Sequence, residues 1–245
     1  MSNTLVDEIC DRALRIAPEV PWFVEPLTHG RGQAFILQHI LRNRLFSSVI
    51  RPAWMSRCPD LAIVRKTIGQ MREELVFDDE ISQPHTTLLW EMGRNVGLTN
   101  EHMDTTRAVP LVDVALNVWE NIARTKHWVA GWLATSVDEF MLTAMPGKHN
   151  FLAEAWRETY NLNDEQVFFF TYHTKADDDH AGRKVWEPIS LHVTTDATRS
   201  EVLEGMELAL TAVKLFYQGI CELGDKIDAN GAQTQERPAG RPYKE

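Results

Sequence analysis

After Pro110 the chain runs to about Thr143 without another proline and with Gly131 as its one internal loop signal. Over that stretch Val112, Leu116, Trp119, Ile122, Trp128, Trp132 and Leu133 recur at helical intervals. An apolar stripe of that length and period suits no strand, so it predicts a long central helix and, around it, further helices that cover the stripe. The rest of the chain supplies them. Leu5, Ile9, Leu14 and Ile16 form a short amphipathic opening, broken by the Pro18 to Pro26 stretch. Phe35, Ile36, His39, Ile40, Phe46, Val49 and Ile50 follow a second helix that Arg51-Pro52 should end or kink. A third is expected from Pro59 in its first turn, through Leu61, Val64, Ile68 and Met71, to about Phe77. Pro84 opens a fourth, with Leu88, Leu89, Met92 and Val96 on one face and Gly97 at its end. Capping signatures mark two more starts: Asn163 with Gln166 ahead of Val167 to Phe170, and Thr198 with Glu201 ahead of a helix to about Leu223. No repeat and no strand-rich half call for a second domain. The reading is an all-α bundle of seven or eight helices over residues 1–227, with 228–245 a polar, aperiodic tail expected to be disordered.

Composition narrows the partners. Against 25 Lys+Arg stand 35 Asp+Glu, with no basic run, which argues against nucleic acid or an anionic membrane surface and favours a small molecule. Cys10, Cys58 and Cys221 are odd in number, far apart and outside any CxxC, so neither a disulfide framework nor a thiolate zinc site is expected. No apolar run is long enough to span a membrane. Asp7, Glu8 and Asp11 stand where a signal peptide would be basic and then apolar, so a cytoplasmic location is expected.

The strongest chemical signal is Tyr172-His173-Thr174-Lys175-Ala176-Asp177-Asp178-Asp179-His180. On a helix, positions i, i+4 and i+7 fall within roughly 60° of one another, so His173, Asp177 and His180 share a face. Two imidazoles and a carboxylate there suit iron, manganese or zinc; the alternative is a solvated polar face. Glu139 lies near the end of a mostly apolar helix, where an unpaired carboxylate would be costly to bury and a cation would remove that cost, unless it faces solvent beside Asp138. His85 follows Pro84, behind the acidic segment Glu73 to Glu80, and a capping or surface histidine is the plainer reading of it alone. Together these give a carboxylate-rich set on four helices, of the kind that holds two irons in helical bundles.

In order and spacing the set resembles the heme-oxygenase-like diiron oxidases, a branch of the fold shared with heme oxygenase, the TenA thiaminases and pyrroloquinoline-quinone synthase. The resemblance covers about Gly30 to Leu223, and its most specific element is the HxxxDxxH run at His173, Asp177 and His180. It implies a seven- to eight-helix heme-oxygenase-like bundle and six metal ligands: Glu74, His85, Glu139, His173, Asp177 and His180. One iron would use Glu74 and His85 with shared carboxylates, the other Glu139 with His173, Asp177 or His180. Asp78, seven residues before His85, would share its face if the helix continued; the family's usual EE pair and the break at Pro84 favour Glu74. The first segment has no histidine to serve heme, and the cysteines lack the surroundings of a thiaminase nucleophile.

What the resemblance implies is Fe(II), two per chain, with O2 as co-substrate. The reaction would be oxidation of a small, amino-acid-derived compound by N-oxygenation, desaturation or C–C cleavage, in natural-product biosynthesis. The competing readings are a metal-independent oxidase like the quinone synthase, a TenA-like hydrolase, or a non-catalytic metal store. For a substrate carboxylate, Arg42, Arg124, Lys126 and Lys214 are candidates, each weighed against a snorkelling surface residue. His39, His127 and Tyr172 could line the pocket or be ordinary core groups, and Trp119, Trp128 and Trp132 read as core packing. Relatives of this fold often form homodimers, which the sequence leaves open.

Overall fold

A computed structural model describes residues 4–144, 149–176 and 183–231. Thr4 starts the first helix, α1 (Leu5–Ile16), with a capping box in which its hydroxyl takes the Asp7 N–H at 3.1 Å and the Asp7 carboxylate takes the Thr4 N–H at 3.2 Å. The second, α2 (His29–Leu45), meets Pro52 without ending. Pro52 has no N–H to donate, and the chain widens into a π-turn over Phe46–Ile50 before continuing helically as Arg51–Met55. The widening has a consequence for the interior. His39, Asn43, Ser47 and Arg51 are polar, buried and four residues apart. Each such step on a regular α-helix drifts by about 40°, and the extra residue of the π-turn offsets that drift, so the four remain one polar stripe facing inward.

Helix α3 (Leu61–Leu75) begins later than its proline suggested. Pro59 stands outside it, and Asp60 is the cap, its carboxylate accepting from the N–H of Ala62 at 2.8 Å and of Ile63 at 3.3 Å. Helix α4 (His85–Asn95) follows Pro84 as expected and is followed by Gly97 at φ +87°. The one long central helix is in fact three: α5 (Pro110–Thr125), α6 (Trp128–Ala134) and α7 (Val137–Ala144). At the first break Lys126 is extended, and His127 caps α6 through Nδ1, which accepts from the Val129 N–H at 3.3 Å. At the second, the hydroxyls of Thr135 and Ser136 both donate to the Trp132 carbonyl, at 3.0 Å each, bending the chain. Apolar periodicity runs through both breaks, because all three pieces pack on the same core.

Helix α8 (Ala153–Tyr160) was not foreseen. Asn163 and Gln166 do bond reciprocally, at 2.9 and 3.0 Å, and α9 (Phe168–Ala176) starts just beyond them. The last helix, α10 (Asp196–Asn230), is capped by Thr195 rather than Thr198, and it continues past Leu223 through residues 228–230, which the tail expectation had excluded. It packs along α2, α5 and α6. Gly224 and Gly30 let α10 and α2 touch backbone to backbone: a Cβ on Gly224 would stand 2.4 Å from the Cα of Arg31, and one on Gly30 2.1 Å from the Gly224 carbonyl oxygen. Trp119, Trp128 and Trp132 are core residues. The fold is all-α; Asp78 and Gln83 make the one isolated extended bridge among the described residues. No described helix is long and apolar enough to cross a membrane.

Candidate metal centre

Helix α3 ends one residue after Glu74, and α4 starts at His85. The turn between them reverses tightly: the Asp78 N–H donates to the Gln83 carbonyl at 3.2 Å, the Asp78 carboxylate takes the Glu80 N–H at 2.8 Å, and Ser82 sits at φ +57°. Asp78 therefore lies on the far side of the His85 ring from Glu74. Its Oδ2 is 2.7 Å from His85 Nε2, whereas Glu74 Oε1 is 3.4 Å from His85 Nδ1. The Tyr172 hydroxyl donates to the same Asp78 oxygen. His85 is 1% exposed, and its Nδ1 has no hydrogen-bond partner.

From α9, His173 brings its ring to 4.9 Å from that of His85, centroid to centroid. Its Nδ1 lies 2.7 Å from the Phe169 carbonyl, which can only accept, so Nδ1 carries the proton and Nε2 is the ring's acceptor atom. Glu74, His85 and His173 each present a ligand atom within 4.8 Å of the others. Asn43 of the polar stripe donates to Glu74 Oε2 at 3.4 Å.

Glu139 and Asp138 do not face solvent. The bend before α7 turns both inward, to 8% and 1% exposure. Arg51 donates to Glu139 Oε1 at 3.2 Å, and Gln70, one turn before Glu74 on α3, donates to Glu139 Oε2 at 3.4 Å. Asp138 pairs with buried Arg42, which also donates to Asn43 Oδ1 at 3.1 Å and lies over the Phe46 ring. Of the six expected ligands the structure thus assembles Glu74, His85 and His173, and it places Glu139 on a neighbouring wall, hydrogen-bonded to Gln70 of the helix that carries Glu74. Asp177 and His180 lie outside the described residues.

The electrostatics follow the geometry. Burial opposes charge on His85, but Glu74 and Asp78 on its two nitrogens win and raise its pKa to about 9. Glu74 is opposed by burial too, yet His85, Arg51 and His173 hold its carboxyl far below the usual carboxylate range. His39 is pushed well down by burial and by the charge of Arg42; it stacks on Phe35 at 4.7 Å, and its Nδ1 is unpartnered.

The other expected pocket residues fall elsewhere. Arg124, Lys126 and Lys214 are surface residues paired with Glu120, Glu204 and Glu19 at 2.7, 3.1 and 2.6 Å. Arg42 is inside but already held by Asp138. His127 is a helix cap whose N–H donates to Glu201 at 2.7 Å. Asn43, Arg51 and Gln70 were missed. The signal available for two of them was the four-residue spacing of polar side chains through an otherwise apolar helix.

An all-α bundle with a buried histidine–carboxylate cluster between helices is the class that fold and site define. The family model described as "iron-containing redox enzyme" matches residues 38–214, well over half of the chain, and the chain belongs to that family. A solved structure, a domain of unknown function with a heme oxygenase-like fold from Shewanella denitrificans OS217, is similar at 14% identity with a TM-score of 0.69. The match covers 94% of this chain and 95% of that one, and it shows the heme-oxygenase-like fold. No curated protein matches the chain.

Proposed function

We propose that the protein is a non-heme diiron oxidase or oxygenase that uses O2 to oxidise a small, amino-acid-derived substrate in natural-product biosynthesis, in the cytoplasm. The observation that carries this reading is the buried cluster in which His85 Nδ1 faces the Glu74 carboxylate at 3.4 Å beside the His173 imidazole. A nitrogen in such a place holds a proton against the carboxylate, and a metal cation can replace that proton. Iron(II) held there would supply the electrons for O2 reduction.

The chain's own residues prepare the donor set. Asp78 accepts from His85 Nε2, which fixes the ring and leaves Nδ1 for the metal. The Phe169 carbonyl fixes the His173 ring through Nδ1, so Nε2 would be the ligand atom. Asn43 orients Glu74, and Gln70 orients Glu139. In this reading Glu74 is the first carboxylate ligand and Asp78 a positioning residue behind His85. By the sequence motif, Asp177 and His180 complete the ligands.

The test is O2 uptake by protein loaded anaerobically with Fe(II). Iron-dependent consumption that is lost in Glu139→Ala and His173→Ala is expected. Uptake that survives chelation and both substitutions would contradict the proposal and favour a metal-independent oxidase.

A further inference from the structure

Arg51 is 3% exposed, and a guanidinium keeps its proton under all ordinary conditions, so it needs an anion wherever it is buried. Among the described residues its hydrogen bonds are two: Nη1 to Ser47 Oγ and Nη2 to Glu139 Oε1, both 3.2 Å. Ser47 is neutral, so the counter-ion is Glu139. Glu139 is also the residue read above as a metal ligand. A cation that takes the Glu139 carboxylate draws charge from Arg51 and adds positive charge beside it, leaving a buried guanidinium undercompensated.

The second interior arginine differs. Arg42 is neutralised by Asp138 and also contacts Asn43 and the Phe46 ring, none of which is a proposed ligand. Arg51 also borders both proposed ligand carboxylates, because its charge acts on Glu74 as well. Its planar fork matches a carboxylate in bidentate geometry.

We propose that Arg51 is an anion anchor beside the metal centre: Glu139 is its counter-ion in the metal-free protein, and a small carboxylate takes that place once a cation claims Glu139. The site therefore selects carboxylate-bearing ligands, and metal and carboxylate bind with positive coupling. This rests on the reading of Glu139 as a ligand.

The test is a Co(II) titration of the full chain, followed by visible absorption, with acetate or its neutral isostere acetamide at constant ionic strength. Acetate should tighten binding of the second equivalent about five-fold or more, and acetamide should leave it unchanged. In Arg51→Gln the second equivalent should bind more tightly than in wild type without acetate, and the acetate effect should vanish. Two equivalents with no acetate response in wild type, or with the same response in Arg51→Gln, overturn the anchor alone. Failure to bind a second equivalent under every condition overturns the metal reading of Glu139, and the anchor with it. A missing acetate response in wild type overturns the anchor whatever the variant does, and Arg51→Lys, which keeps the charge without the fork, replaces Arg51→Gln if that variant does not fold, with a weakened acetate response expected.

Discussion

On the wall formed by α3 and α4, the buried carboxylates Glu74 and Asp78 face the two nitrogens of one histidine; on the wall formed by α2 and α7, Asp138 and Glu139 face arginines. Both walls bury acidic side chains and both neutralise them, but the neutralising groups differ in kind. An imidazole can give up its proton, so a metal can replace that proton without moving the side chain. A guanidinium cannot, so a metal can only compete with it for the carboxylate. The first wall is a proton-holding cation site, and the second is a pair of internal salt bridges, one of which includes a proposed ligand. Ligand residues alone therefore do not set the order in which a centre of this kind fills.

The sharpest way to break the comparison is Arg42→Met. It leaves Asp138 buried without a counter-ion, and the expected loss is about 3–5 kcal/mol in urea unfolding. A loss below about 1 kcal/mol would mean that the second wall is not held by its arginines. Next is Asp78→Asn, which should weaken metal binding about 10- to 100-fold while metal stoichiometry and the visible spectrum of the Co(II) form stay as in wild type. A changed spectrum or a lost equivalent would make Asp78 a ligand and return the first carboxylate to open question. The third effect is in pH dependence. With its pKa raised to about 9 in the folded state, above the ordinary imidazole value of 6.5, His85 holds its proton more tightly there. Its contribution to the stability of the metal-free protein is complete below about pH 6.5 and is lost as pH rises through about 9. Thermal scans should show Tm falling by a few degrees, roughly, over that window, and His85→Gln should flatten the fall.

Much of this was legible in the sequence, for reasons that also explain the gaps. The helical class followed from apolar period, which depends only on local geometry. Glu139 and His85 stood out by a helix-end context and His173 by its spacing with Asp177 and His180, whereas Glu74 came only from the family resemblance. The role of Asp78 was not legible: on a continuous helix it would share a face with His85, and only the tight turn over residues 76–84 puts it behind the ring. The breaks at Lys126-His127 and Thr135-Ser136 were hidden because core packing keeps the same apolar period across them. Arg51 was passed over because the Arg51-Pro52 pair signals a helix end, whereas the chain forms a π-turn and keeps the arginine inside.

The central claim is that this bundle holds two metals in a buried histidine–carboxylate set. Anaerobic Fe(II) titration of the purified full chain, with bound iron counted after removal of free metal, tests it most directly. Close to two irons per chain in wild type is predicted, falling to one or fewer in both Glu74→Ala and Glu139→Ala with the helical circular dichroism retained. A wild-type chain that binds no iron, or variants that bind as much as wild type, would contradict it.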